Sequence, residues 1–152
     1  MEKIARFTYL VAALLFLLGV AVQVFLAGMV VVAHRMGWSN HISLGHLLAA
    51  PLLVMLISQY PACFPGRIKR LSWLLFVVYA LQADVIIFLR DQAPVVSAFH
   101  PVLALVDFAL GLALVRAALE LVRQSAVPAS VQAGVNTSAQ NRLPQTDLDA
   151  GR

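Results

Sequence analysis

Charge is scarce in this chain. Asp, Glu, Lys and Arg make up 12% of its 152 residues, about half the share carried by a water-soluble domain. That is too little to clothe a particle facing water on all sides, so a soluble globular enzyme is excluded. Cysteine is nearly absent as well: the lone Cys63 cannot close an internal disulfide, and no CxxC or CxxCH pattern offers zinc binding, thiol redox chemistry or covalent haem attachment. The sequence also lacks a P-loop, a glycine-rich dinucleotide motif and HExxH, which disfavours hydrolases, nucleotide-binding enzymes and nucleic-acid proteins. What is present is apolar: 61% of residues are hydrophobic and the mean hydropathy is +0.86. These residues fall in long blocks, so the bilayer is the solvent to reason with. Eleven Lys+Arg against seven Asp+Glu give a net charge of +4, and the excess reflects membrane orientation.

The apolar blocks predict an all-α polytopic membrane protein, an antiparallel bundle of four transmembrane helices over residues 1–123. The spans fall at about 7–33, 42–60, 71–89 and 95–122. Each must be helical because lipid offers no partner to a free backbone N–H or C=O. The first span is about 40 Å long at about 1.5 Å per residue, more than a core of about 30 Å requires, so it tilts or protrudes. Lys3 and Arg6 before it, with Val31-Val32-Ala33 after, also resemble a signal peptide, but the apolar run is about twice the usual length. Pro61 to Gly66 closes the second span, Pro51 is expected to kink it, and either Pro94 or Pro101 suits the first turn of the fourth. Short connections make sequential helices antiparallel neighbours. No internal repeat or low-complexity tract is convincing, beyond a weak similarity of helices one and two to helices three and four. Residues 124–152 turn to Ser, Ala, Gln, Asn, Pro and Asp without an apolar face, the composition of a disordered cytoplasmic tail.

Lys3, Arg6, Arg67, Lys69, Arg70, Arg116 and Arg123 fall on one side of the membrane, Arg35 and Arg90 on the other. Both termini are therefore expected in the cytoplasm. Polar residues within spans are costly unless partnered, and here they are Gln23, His46, Gln82, Asp84, His100 and Asp107, with His41 at a helix entrance. All fall toward the outer half, which leaves the inner half almost purely apolar. His41 and His100 share the outer mouth, His46 and Asp107 lie roughly 7 to 11 Å deeper, and Gln23 and Gln82 come below them. Asp84 stands about 200° around helix three from Gln82, so the two cannot both face the centre.

Two neutral imidazoles entering a bundle at one height from alternate helices are a common way to ligate haem iron from both faces, which makes His41 and His100 candidate metal ligands. Gly45 and Ala104, each one turn deeper, leave room for a flat macrocycle, although small residues also serve ordinary helix contacts. Arg35 and Arg90 are placed to pair with haem propionates. Plainer readings stand beside these. A histidine at a helix mouth can simply touch headgroups or water. His46 with Asp107 can be a structural hydrogen bond locking helix two to helix four, and Gln23 and Gln82 interhelical glue or contacts to a quinone carbonyl or a cofactor. His34 reads as solvated, and Trp38 and Trp73 as interfacial belt residues.

The stretches Gln23 to Gly28, Trp38 with His41 to Gly45, Gln82, and His100 to Leu105 resemble a family of small bacterial four-helix membrane proteins of unknown function, over about residues 5–123. The arrangement is also similar to one half of haem A synthase, in which histidines on the second and fourth helices of each bundle face one another and bind haem. That likeness implies His41 and His100 as the pair. The departures are specific: no acidic residue stands one or two turns before His41, no His-Arg dipeptide occurs at that site, and there is one bundle only. Haem oxidation chemistry is therefore not implied.

The sequence supports a b-type, bis-histidine haem protein for electron transfer or haem handling, with a membrane redox partner or quinone. The alternatives are a non-catalytic accessory or scaffold subunit, and a quinone-binding or carrier protein using Gln23, Gln82, His46 and Asp107. No catalytic residue is identified. A topology reporter fused after Arg70 should be cytoplasmic and one fused after Asp91 external; the reverse pattern would remove the shared outer level of the histidines.

Overall fold

The computed structural model describes residues 1–85, 88, 89 and 91–126. Helix α1 spans Glu2–Val31, α2 Ser39–Leu47, α3 Ala49–Ser58, α4 Gly66–Ala80, α5 Pro94–Ser97 and α6 His100–Ala126, and a π-helical segment, Leu81–Val85, continues α4. No strand occurs among the described residues. Three helical stretches, Glu2–Val31, Ser39–Ser58 and Pro94–Ser125, are long and apolar enough to cross a membrane. The stretch expected as a span at 71–89 is not among the three: its residues 71–80 lie in α4, which begins earlier with Arg67, Lys69 and Arg70 in its first turns, and residues 81–85 form the π-helical segment. By contacts the chain forms one unit over Met1–Val122 and a second over Arg123–Arg152. Of the second, the described residues continue helix α6 to Ala126, so the expectation for the tail falls almost wholly outside the described residues.

Proline sets two of the breaks. Pro51 has no N–H to give to the Leu47 carbonyl and its ring crowds that carbonyl, and the second apolar stretch divides at Leu48 between α2 and α3. Pro101 does the same to Ser97, so Pro94 opens the short α5 and Pro101 sits in the first turn of α6.

The end of the first unit that carries the N-terminus of α1 is pinned by polar contacts that the expectation of an almost purely apolar half there did not include. Arg6 donates from Nε to the Ala62 carbonyl at 3.2 Å and from Nη1 to the Leu121 carbonyl at 3.3 Å, and pairs with Glu2. It thereby ties α1 to the loop after α3 and to α6. One turn deeper, the Tyr9 hydroxyl meets Ser72 Oγ at 2.6 Å, Ser72 donates to the Ile68 carbonyl at 3.0 Å, and Phe64 packs edge-on against Tyr9 at 4.7 Å. Buried Gln59 donates from Nε2 to the Leu56 carbonyl at 3.0 Å.

Above this layer the core is hydrocarbon: Phe16, Leu52, Met55, Leu75 and Leu114 are fully buried. Phe16 stands edge-on to Tyr79 at 6.0 Å. Gly111 of α6 faces Leu17 and Phe16 of α1, where a Cβ would make ordinary contact. Gly19 of α1 lies closer to its neighbour, because a Cβ there would overlap the end of the Leu48 side chain and displace it. Removing one hydroxyl from the Tyr9–Ser72 layer should cost little, because Ser72 keeps Ile68. Thermal unfolding in detergent should show Tyr9→Phe destabilised by about 1 kcal/mol and Tyr9→Ala, which leaves a cavity, by roughly 3–5 kcal/mol.

Candidate functional site: the paired histidines

At the opposite end, His41 is in the first turn of α2 and His100 opens α6. Their rings converge, with centroids 6.1 Å apart and planes at 61°. His41 is held from behind by α1 and His100 by the π-helical segment that continues α4. His41 Nδ1 lies 3.1 Å from the backbone carbonyl of Gln23, and His100 Nδ1 lies 3.3 Å from that of Gln82. Both links join residues 18 apart, so the weak likeness between the two halves of the sequence becomes a matched pair of clamps. A carbonyl can only accept, so each Nδ1 carries a hydrogen, and in the neutral ring Nε2 keeps the lone pair. Metal-binding histidines are oriented in the same way, by a hydrogen bond from the other ring nitrogen.

The spacing suits a shared ion. With imidazole–metal bonds of about 2 Å and each ring centre about 1.1 Å behind its nitrogen, two imidazoles on one ion have centres roughly 6 Å apart. Trp38 stands edge-on to His41 at 5.4 Å and supports that ring from the loop side. The Gln82 carbonyl belongs to the π-helical segment, and such turns, with their altered backbone pairing, recur at functional sites.

Gln23 and Gln82 also bring side chains to this level. Both Oε1 atoms are buried without a hydrogen-bond partner among the described residues. A Cβ on Gly45 would lie 2.8 Å from Gln23 Nε2, so the space left by this glycine is filled by the Gln23 amide and not kept open for a macrocycle. Below, the Tyr79 hydroxyl donates to the Gly45 carbonyl at 2.6 Å, joining α4 to the helix break at Leu48. Asp84 is exposed and Gln82 partly buried, in line with their expected opposition.

The expected pair of His46 and Asp107 is not formed. Asp107 is completely buried and neither carboxyl oxygen has a hydrogen-bond partner among the described residues, while His46 is exposed. His46 follows His41 by five residues, about 140° around the helix at about 100° per residue; with His41 turned inward, His46 must turn out. Asp107 follows His100 by seven residues, two turns, and stays on the inner side. Arg35 and His34 are exposed in the loop after α1, where His34 has a φ of 51°. Arg90 lies outside the described residues. No group of three or more His, Cys, Asp or Glu side chains able to hold a metal occurs among the described residues, so a metal here would have to bring further ligands of its own, as a porphyrin does. Sequence reasoning missed Gln59 and Tyr79, whose polar atoms stand out only as single interruptions of apolar runs.

The protein is thus an all-helical membrane protein. Residues 23–86 match a family of unknown function (DUF6220), a stretch that includes Gln23, His41, Gly45, Tyr79 and Gln82 and ends before His100. No protein of curated function and no solved structure matches the chain.

Because neither Asp107 oxygen has a hydrogen-bond partner among the described residues, Asp107→Leu should leave the unfolding midpoint in detergent unchanged or raised: an apolar group in place of an unmatched buried one is neutral or stabilising. His46→Ala should stay within about 0.5 kcal/mol, as at an ordinary exposed site. Strong destabilisation by Asp107→Leu alone would mean that the carboxyl has a partner after all.

Proposed function

We propose that this chain is a haem-binding membrane protein of the bis-histidine type, acting in electron transfer or haem handling, with four antiparallel spans and both termini on the cytoplasmic side of a bacterial inner membrane. The observation that carries the reading is the convergence of His41 and His100 at 6.1 Å, with each Nδ1 turned back onto a carbonyl of the preceding helix. The donor set fits a b-type haem: two neutral imidazoles with free Nε2 atoms, and no cysteine pair for covalent attachment. The similarity of the sequence's histidine arrangement to one half of haem A synthase is a further part of the case for this reading.

His41 and His100 would hold the iron, and the Gln23 and Gln82 carbonyls would fix both rings in the ligating tautomer. Bound haem supplies one-electron chemistry at a potential set by its axial ligands and surroundings. Arg35, exposed beyond the mouth, would offer a two-pronged donor to a propionate, and Arg90 is assigned the same role from sequence. An accessory or scaffold subunit needs no such pairing of free nitrogens, since glutamine contacts alone would serve to pack the helices.

Protein purified from membranes grown with a haem source should show a Soret band and, on reduction, a low-spin b-type spectrum. His41→Ala and His100→Ala should each abolish the low-spin signature, while His34→Ala should leave it unchanged. Colourless protein that always purifies with another subunit would overturn this reading and assign the accessory role.

A further inference from the structure

The histidine pair makes no use of Asp107, the one buried carboxylic acid among the described residues. It follows His100 on the continuous helix α6 by seven residues, which places it about 10 Å further along the same face. Neither of its oxygens has a hydrogen-bond partner among the described residues, and no salt bridge among them joins it to a cation. The elements around it supply no counter-charge. From α4, the Tyr79 hydroxyl is within electrostatic reach of both Asp107 and Asp84, but that hydroxyl is committed to the Gly45 carbonyl, and Asp84 is exposed. From α1, Phe16 and Leu17 face Gly111, one turn beyond Asp107. His46 of α2 is exposed.

An unpaired carboxylate is costly in such a place, and a neutral acid costs far less. The protonation of Asp107 therefore turns on any charge that comes and goes nearby. A haem held by the histidine pair changes the charge there by one unit with each electron. One unit of charge about 10 Å away, at an effective dielectric constant of about 20, alters the proton affinity of a carboxyl by roughly tenfold. Because His100 and Asp107 share one uninterrupted helix, their separation is fixed by the backbone.

We propose that Asp107 binds one proton when the histidine-held site accepts one electron from a membrane electron donor, and releases that proton on oxidation. The electron goes to the iron and the proton to Oδ1 or Oδ2 of the carboxylate, so the buried charge is unchanged by the pair of steps and no bond within the protein breaks. This rests on the haem reading and adds to it: the chain carries a proton with its electron.

Redox titration of the purified haem protein, followed by its absorption spectrum from about pH 5 to about pH 9, should show a midpoint potential that falls as pH rises, by about 59 mV in total for a tenfold change in proton affinity. Asp107→Asn and Asp107→Leu should both keep the low-spin spectrum and flatten that fall. Infrared difference spectra of the wild-type protein, reduced minus oxidised, should gain a protonated-carboxyl C=O band that neither variant shows. A potential indifferent to pH would overturn the proposal and leave the haem reading in place. So would a pH dependence that survives both substitutions, which would belong to the propionates or the histidines, or a potential that follows Na+ at fixed pH, which would make Asp107 a cation ligand. A colourless preparation would overturn both readings.

Discussion

Hydrocarbon supplies no hydrogen-bond partner, and the rest of this structure depends on that constraint. Each polar group inside the apolar blocks must find a partner within the protein or remain at a cost. Most find one. Tyr9 and Ser72 satisfy each other, Arg6 takes carbonyls from a loop and a helix, Tyr79 reaches Gly45, and both histidines turn Nδ1 onto backbone. The atoms left over, Oε1 of Gln23, Gln59 and Gln82 and both oxygens of Asp107, mark the places where packing does not account for the residue.

The two ends of the first unit solve the problem differently. At the end that carries the N-terminus of α1, Arg6 closes on backbone, Tyr9 and Ser72 close on each other, and aromatic packing seals them; this end holds the helices together. At the opposite end, the partners are arranged in parallel: one carbonyl behind each imidazole, one glutamine on each of two helical segments, one histidine on each of two others. The two rings converge as a result, with centroids 6.1 Å apart.

The break at Pro51, the roles of Pro94 and Pro101 and the shared level of His41 and His100 were legible in the sequence. They depend on local rules: a missing N–H and rise per residue. No convincing repeat was legible between the two halves, and the equal separations within the two clamps appear only in the structure. Depth alone misled for His46 and Asp107, because rise per residue places a side chain along the membrane normal and says nothing about the direction it points. Gly45 misled in a related way. Its smallness was correctly noticed, but the space it leaves is occupied by an amide from another helix.

Taken by itself, the sequence determined that this is a helical membrane protein and which histidines stand at one height, since both follow from the order of residues along one helix at a time. Only the tertiary structure decided which side chains meet. The azimuth of each helix, the close approach of Gly19 to Leu48, and the carbonyls that capture His41 and His100 are set by packing between segments far apart in the chain, and no local rule carries that information.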